Sequence, residues 1–424
     1  MADAHVKWDT DYEWKAVTLL GLGFGLVGLD RWIIAPLLPI MSPDLGLSVQ
    51  QAGNLIGALG LVWGVFAIIS GRLSDSIGHR KVLIPAILLF SLMSGFSGMA
   101  GGFASLLAIR GLMGLMEGSY CPTSFAATAA AAHPSRRGFL QGLQQSGFAL
   151  FGFGLGPIIA TQLLLVVPSW RWVFWAVAIP GMIVGILMIF VLREPKDTQG
   201  GRLVGEAPAG HGGGGTAGWG AVLNKNIMLC MLALFCAMSC IFVLGGLLPT
   251  YLTDAPVMNK QLNPQQIGFI ASALGFGGFV GQFGVPGISD VLGRRVTAVL
   301  AFIGAAVTLY FFMQLGPTST SLFMMLFLVS FFSLGNVALI TGPIATESAP
   351  IGLVSSAIGL VVGAGEIFGG GVAPAIAGFV GQNYGIQNIL WMPLVGVSLG
   401  ILVCVFLTET APKKVGTLAA VAAS

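Results

Sequence analysis

The sequence predicts an all-α membrane protein with twelve transmembrane helices arranged as two pseudo-symmetric halves of six. Only 8% of its 424 residues are charged and 55% are apolar, whereas soluble globular domains carry roughly 25% charged residues. Apolar runs of about 20 residues, the length at which a helix crosses a bilayer, recur along the whole chain. A membrane β-barrel would show shorter segments of alternating polarity. Two short motifs also recur at about half the chain length, which indicates a duplicated unit.

The apolar runs divide the chain into two bundles joined by a linker. We place the spans at residues 16–40, 51–71, 82–101, 104–129, 138–163, 172–192, 227–252, 265–288, 296–315, 320–343, 353–379 and 388–408. The predicted organisation is an N-terminal segment (1–15), a first bundle (16–193), a linker (194–224), a second bundle (225–409) and a tail (410–424). Five of the six residues from Gly210 to Gly215 are glycine. Such a composition cannot bury a core, so we expect a flexible connection.

The positions of lysine and arginine predict that both termini are cytoplasmic. With that orientation only Arg171 and Lys260 fall on the outer side, and only Arg31 and Arg110 fall within the membrane. The net charge of +3 therefore reflects topology, and no basic stripe points to nucleic acid. The cysteines all lie in apolar spans without the spacing of a disulfide framework or zinc site. They are Cys121, Cys230, Cys236, Cys240 and Cys404.

Four charged residues inside the first-half spans mark the candidate functional region. Asp30 and Arg31 are adjacent in the first span, and Arg110 and Glu117 lie seven positions apart in the fourth. Charge inside a membrane is costly and is kept mostly where it faces a cavity or acts on an ion. Consecutive helix residues point about 100° apart, so Asp30 and Arg31 must reach different partners. Arg110 and Glu117 share one helix face at different depths, and a purely structural ion pairing is the alternative for all four.

Two motifs repeat at nearly the same offset. The stretch Gly71–Lys81 contains Asp75, and the shorter stretch Ser289–Arg295 contains Asp290, 215 positions later. In the fifth and eleventh spans, Pro157 and Pro374 each follow a small-residue pattern and lie 217 positions apart. The shared offset predicts six-helix halves duplicated in parallel orientation.

The Gly71–Lys81 stretch resembles the loop signature of the major facilitator superfamily, and the copy at 289–295 lies where that fold repeats it. The resemblance covers nearly the whole chain. It implies a substrate cavity near the membrane midplane and alternating access by rocking of the two halves. It also implies a gating role for the loop residues, in which an Asp meets a helix N-terminus or an Arg. These gating candidates are Gly71, Asp75, Arg80, Asp290 and Arg294.

The Asp-Arg pair of the first span, with Arg and Glu seven apart in the fourth, resembles the anion:cation symporter branch of the superfamily. That resemblance implies an organic anion as substrate, with Arg110 and Arg31 facing its carboxylate and with Asp30 and Glu117 handling protons. The chemistry agrees, since guanidinium binds carboxylate in bidentate geometry and carboxyl groups removed from water can exchange protons near neutral pH. Spinster-type lipid carriers share these motifs, so a lipid transporter remains an alternative.

Glu366 is the single charged residue of the eleventh span, and the repeat offset places an alanine, Ala149, at the equivalent position. A charge on one copy alone favours function over architecture, and we expect Glu366 to handle substrate or protons. A hydrogen-bonded packing acid is the alternative. Further candidates for the cavity lining, or for bonds between helices, are Tyr120, Gln144, Gln145 and Asn336.

Counting charge gives a mechanism. Asp30, Arg31, Arg110, Glu117 and Glu366 sum to −1 when ionised and to +2 when the acids are protonated, so proton uptake makes the site attract anions. We therefore expect proton-coupled uptake of a small organic anion by a monomer in the cell membrane, driven by the proton gradient without a cofactor or metal. A proton-driven exporter of lipophilic or cationic compounds and a transporter-like receptor are alternatives. No nucleophile–base pair or phosphate loop points to an enzyme.

Overall fold

The computed structural model describes residues 8–47, 49–198, 219–254 and 261–414, and the regular elements in these ranges are helices. The N-terminal helices are α1 (Thr10–Trp32), α2 (Ile34–Leu45), α3 (Val49–Ile77), α4 (His79–Ser97), α5 (Phe103–Ala131), α6 (Arg137–Phe148), α7 (Gly156–Leu164) and α8 (Trp170–Val191). The C-terminal helices are α9 (Trp219–Val222), α10 (Lys225–Asp254), α11 (Pro264–Leu292), α12 (Arg294–Gln314), α13 (Ser319–Leu339), α14 (Ala345–Ser348), α15 (Val354–Ala364), α16 (Ala373–Tyr384) and α17 (Trp391–Val405). Most of the predicted linker, residues 199–218, lies outside the described ranges.

The prediction of an all-helical membrane-spanning chain is confirmed. Within the described ranges, eleven helical segments are long and apolar enough to cross a membrane. The predicted fourth span is not among them, although α5 forms there as a helix of 29 residues. Arg110, Glu117 and several small or hydroxylated residues lower the hydropathy of α5.

Prolines explain where the long helices are interrupted. Between α1 and α2 the regular helix breaks at Ile33, because Pro36 cannot donate to the carbonyl of Trp32 and its ring crowds that carbonyl. Wider π-helical turns, π1 (Ala149–Leu155), π2 (Ile340–Ile344) and π3 (Gly365–Val372), lie within the lines α6–α7, α13–α14 and α15–α16. Each π segment contains a proline or is followed by one within two residues. Such turns are frequent at functional sites.

Two seams join the N-terminal helices to the C-terminal helices. In one seam, α3 packs along α15 and π3, and in the other α6 and π1 pack along α11. Close approach depends on glycine: a Cβ at Gly71 would collide with the carbonyl of Ser355, and a Cβ at Gly142 would collide with the carbonyl of Gln282. The seams therefore bring α1, α3, α5, α10 and α15 around a common centre.

The face of the bundle that carries Asp9 and Glu409, here called the terminal face, shows the same arrangement twice. Gly78 and Gly293 have φ values of 102° and 103°, a region that favours glycine, and each precedes a helix start. Glu194 accepts hydrogen bonds from the first two N–H groups of α4 at 3.0 and 3.3 Å. Glu409, 215 positions later, does the same for α12 at 2.8 and 3.3 Å. Both carboxylates satisfy N–H groups that a helix start leaves free.

Candidate functional site

A buried ion pair joins α1 to π3. Arg31 Nη1 donates to Glu366 Oε1 at 3.2 Å and Nη2 donates to Oε2 at 3.0 Å. Arg31 is 7% exposed and Glu366 is 5% exposed. Bidentate pairing of guanidinium with carboxylate is among the strongest side-chain interactions. It therefore links two elements that are 335 positions apart in the chain.

Aromatic rings surround the Arg31 guanidinium. Its Cζ lies 6.0 Å from the ring centroid of Trp32, 5.6 Å from that of Trp63 and 5.4 Å from that of Phe242. Ring faces attract a guanidinium at this range and keep water away from it. Loss of the carboxylate partner would leave a buried unpaired cation, so only another anion can replace Glu366 at low cost.

Asp30 points to a different helix from its neighbour Arg31. Its Oδ1 accepts a hydrogen bond from Ser94 Oγ of α4 at 2.8 Å, and the residue is 2% exposed. The divergence of the two side chains agrees with the 100° rotation between consecutive helix residues. Asp30 thus lies on the α4 side of α1 and Arg31 on the side of the C-terminal helices.

Arg110 binds the main chain at the end of α1. Its Nη1 donates to the carbonyl of Asp30 at 3.2 Å and its Nη2 donates to the carbonyl of Arg31 at 3.0 Å. These carbonyls lie directly before the helix break that Pro36 causes. Arg110 is 1% exposed, so in this conformation its guanidinium positions the backbone that carries Arg31.

Glu117 is fully buried, and neither of its carboxyl oxygens has a hydrogen-bond partner among the described residues. It lies two turns from Arg110 on α5. A carboxylate ion without a hydrogen bond is costly in such a place. The surroundings of Glu117 suit a neutral acid better than an ion.

A cavity of about 50 Å³ lies between the N-terminal and C-terminal helices, and Glu366 forms part of its wall. Most of the wall is apolar. Besides Glu366, its polar side chains are Gln145, Gln282 and Thr341, together with the indole nitrogen of Trp63. Because Trp63 also faces Arg31, the cavity and the ion pair belong to one site.

Two aspartates close the terminal face across the seams. Asp75 Oδ1 accepts the N–H of Ser355 at 3.0 Å, and its Oδ2 accepts the N–H of Ser356 at 2.7 Å, at the start of α15. Asp290 accepts two N–H groups from the first turn of α6 at 3.1 and 3.0 Å. In both cases a carboxylate meets the positive end of a helix from the other part of the chain. Gln141 of α6 and Thr346 of α14 add a hydrogen bond of 2.9 Å across the same face.

The sequence over residues 20–256 and 252–422 matches the profile of the Major Facilitator Superfamily. The chain belongs to the Major Facilitator Superfamily. It is therefore a multi-pass protein of the cell membrane. The repeated motifs with Asp75 and Asp290, and the two seams described above, are consistent with this membership.

Similar superfamily members include transporters of known name. A probable 4-methylmuconolactone transporter of Cupriavidus pinatubonensis is 29% identical over 382 residues, which cover 87% of this chain and 84% of the relative. A sialic acid transporter of Escherichia coli is 26% identical over 421 residues, covering 94% and 95%. The solved proton:xylose symporter XylE shares the fold with a TM-score of 0.74 and 18% identity, covering 95% of this chain and 97% of that chain.

Three of the predicted cavity residues serve helix packing in this superfamily member. Tyr120 donates to a main-chain carbonyl of α1 at 3.1 Å, and Gln144 donates to Ser124 at 3.2 Å. Asn336 donates to a main-chain carbonyl of α12 at 3.2 Å. In this conformation none of the three lines the cavity, and their contact with a ligand stays a prediction.

The sequence does not predict the apolar and aromatic lining of the cavity, nor two of its polar residues, Gln282 and Thr341. Gln282 is the one amide in the middle of α11, which is the signal that could have identified it. Thr341 donates to Gln145 Oε1 at 2.9 Å, a pairing between π2 and α6 that no local pattern reveals. Among the described residues, no group of three His, Cys, Asp or Glu side chains is placed to hold a metal ion.

The remaining gating candidates lie at the terminal face. Arg80 donates to the carbonyl of Ile189 at 2.7 Å and so binds within the N-terminal helices. Arg294 binds Asp290 at 2.6 Å and Glu347 at 2.8 Å within the C-terminal helices. Arg80 therefore joins α4 to α8 and Arg294 supports Asp290 and its helix, whereas the aspartates make the contacts across the seams.

Proposed function

We propose that this superfamily member is a proton-coupled symporter that takes up a small organic anion by alternating access. The bidentate Arg31–Glu366 pair on the enclosed cavity is the observation that carries the proposal. Glu366 occupies on Arg31 the position that a substrate carboxylate would take. The printed names of the relatives, which include a sialic acid transporter, support an organic acid as cargo.

The proposed architecture has twelve crossings in two six-helix halves, with α5 as the fourth crossing. The terminal face is the cytoplasmic face, since positively charged residues concentrate there. On this assignment the conformation described here is closed to the cytoplasm by Asp75 and Asp290. The protein acts as a monomer, without a cofactor and without enzymatic chemistry.

Protonation is the step that opens the anion site. A proton on Glu366 removes the charge that holds the Arg31 guanidinium, and the substrate carboxylate then takes over the bidentate contact. The proton acceptors are Asp30, Glu117 and Glu366. With all three neutral, the two buried arginines leave a net charge of +2, which attracts an anion.

Return of the carrier requires release of both cargoes. When the terminal face opens, the acids lose protons to the cytoplasm, and Glu366 competes again for Arg31. Reformation of the Arg31–Glu366 pair expels the anion and satisfies the buried cation for the return step. The same pair thus couples proton binding to substrate binding at one guanidinium.

Reconstituted liposomes test this proposal. With the outside acidic, labelled organic acids such as glucuronate and benzoate are offered as a panel. At least one is expected to accumulate above equilibrium, and a protonophore is expected to abolish that accumulation. Liposomes containing Arg31→Leu measure passive entry of the same acid. Anion uptake that ignores the imposed proton gradient would overturn the symport mechanism.

The sign of the cargo separates this proposal from export of cations. For the organic anion, Arg31→Leu is expected to remove uptake completely. If instead Arg31→Leu leaves transport of a lipophilic cation intact while Glu366→Gln abolishes it, the acid is the cargo ligand and the protein is an exporter.

A further inference from the structure

We infer that the substrate is a compact, planar, unsaturated ring that bears a single carboxylate, which deepens the proposed function and rests on it. The two walls of the cavity, its few polar groups and its size carry the inference. Each of these features limits the shape or the polarity of the part of the substrate that lies beyond the carboxylate bound to Arg31.

One wall of the cavity is aromatic and comes from the N-terminal helices. Phe24 lies 5.0 Å from Phe125 and 5.3 Å from Phe148 between ring centroids, and Phe148 lies 6.2 Å from Phe153. These four rings, from α1, α5, α6 and π1, line the cavity in a continuous row. Aromatic surfaces favour ring ligands through offset stacking and edge-to-face contacts.

The opposite wall comes from the C-terminal helices and is mostly aliphatic. Its apolar side chains are Met238, Ile241, Leu334, Val337 and Val362, together with the ring of Phe242. Two walls of rings and hydrocarbon suit a flat ligand whose two faces are both apolar. Sugar rings carry hydroxyl groups around their edge and would press them against hydrocarbon.

The cavity offers few hydrogen bonds to a ligand. Thr341 and Gln145 already bond to each other, at 2.9 Å. Among the polar atoms of the described residues, Gln282 Oε1 and Trp63 Nε1 are buried, line the cavity and have no partner. A polyhydroxylated acid would leave most of its hydroxyl groups without a partner, and each such group costs affinity. A ring with one hydrogen-bonding substituent could satisfy Gln282 or Trp63.

The depth and size of the cavity limit the length of the ligand. The depth of a residue can be counted along its helix from the terminal face at about 1.5 Å per residue. Glu366 lies roughly 18 Å from the start of α15, and Thr341 lies roughly 10 Å from the end of α14. The cavity volume of about 50 Å³ corresponds to room for about four water molecules. A cavity of this size favours a ligand with a single ring between the carboxylate on Arg31 and the Gln282 amide.

Calorimetric titration of the purified full-length protein tests the inference, with ligands of equal charge. Benzoate and 4-hydroxybenzoate are expected to bind, and glucuronate is expected to bind roughly 100-fold more weakly or not at all, because its buried hydroxyl groups lack partners. Benzyl alcohol, which has the ring without the carboxylate, is expected to bind far more weakly than benzoate.

A matched pair of variants locates the ring substituent. Gln282→Met keeps the side-chain shape and is expected to lower the affinity for 4-hydroxybenzoate about tenfold relative to benzoate, because one ligand hydrogen bond is lost. Gln141→Met makes the same change in a buried amide that bonds Thr346 and does not line the cavity. It is expected to leave the ratio of the two affinities unchanged.

The outcomes separate the inference from the proposed function. If glucuronate binds and is taken up while both benzoates fail, the ring inference is wrong and the organic anion symporter stands. If benzyl alcohol or a cationic ring binds as well as benzoate, or if no carboxylate binds at all, both are overturned.

Discussion

At the scale of single residues, two buried arginines have different partners. Arg31 binds a carboxylate, whereas Arg110 binds the main-chain carbonyls of Asp30 and Arg31. Lysine keeps the charge and loses the bidentate fork. We therefore expect Arg31→Lys to weaken binding of the organic acid about tenfold or more. Arg110→Lys is expected to lower the free energy of unfolding by about 1.5–3 kcal/mol and to change affinity little.

Calorimetry and thermal unfolding of the two lysine variants check this prediction. The affinity for the organic acid is expected to fall in Arg31→Lys, and the melting temperature is expected to fall in Arg110→Lys. If Arg110→Lys loses as much affinity as Arg31→Lys at an unchanged melting temperature, Arg110 is a carboxylate ligand and its contact with the α1 backbone is incidental.

At this scale the sequence predicts what helix geometry alone decides. It shows that Asp30 and Arg31 diverge, because that follows from 100° per residue. It could not pair Arg31 with Glu366, since the contact depends on how α1 and π3 approach each other. It could not show which of Gln144 and Gln145 lines the cavity either. The two are consecutive in α6, and Gln145 lines the cavity whereas Gln144 donates to Ser124.

At the scale of the elements, the aspartate caps hold the terminal face closed. Asp75 caps α15 and Asp290 caps α6, each across a seam. Asn loses the negative charge and one of the two acceptor oxygens, which costs roughly 1 kcal/mol at each helix start, so the two changes together shift the ratio of conformers about tenfold or more. The double variant Asp75→Asn, Asp290→Asn is therefore expected to populate the conformer that is open at the terminal face.

Distance measurements between spin labels can detect this shift. Ile77 and Ile351 are exposed at the terminal face on opposite sides of a seam, and their cysteine variants would carry the labels. The distance distribution is expected to move to longer values in the double variant. Asp44→Asn is the control, because Asp44 binds Trp170 and Arg171 within the N-terminal helices. An unchanged distribution in the double variant would show that the caps do not hold the face closed.

Most of the helices can be predicted from the sequence, and some of the residues that cap them can be predicted as well. Apolar runs and their length predict the long helices, and the Asp motif predicts that Asp75 meets either a helix N-terminus or an Arg. The equivalent roles of Glu194 and Glu409 were missed, although the 215-residue offset is the same as for the aspartates. Each of these glutamates follows an apolar span and looks like an ordinary solvated charge until the fold brings α4 and α12 beside them.

At the scale of the whole molecule, the conformation is what sequence reasoning could not supply. One sequence must stabilise at least two arrangements of its helices, so no pattern specifies which face is closed. The duplicated motifs predict two halves in parallel orientation, and the contacts at the terminal face come only from the folded structure. The enclosed cavity and the Arg31–Glu366 pair are properties of one conformation, and they depend on both seams being closed together.

Cys121 reports on this conformational equilibrium. It lines the cavity, is 1% exposed and is the one cysteine of the chain in the cavity wall. A small membrane-impermeant methanethiosulfonate added from the terminal side is expected to label it slowly in the native protein, because the thiol is enclosed. In the Asp75→Asn, Asp290→Asn variant the labelling rate is expected to rise about tenfold, in proportion to the population of the open conformer.

A bound organic acid is expected to slow labelling in both proteins, and Cys121→Ala is expected to remove the signal. Labelling that persists in Cys121→Ala, or that is equally fast with and without the aspartates, would show that the cavity does not open through the terminal face.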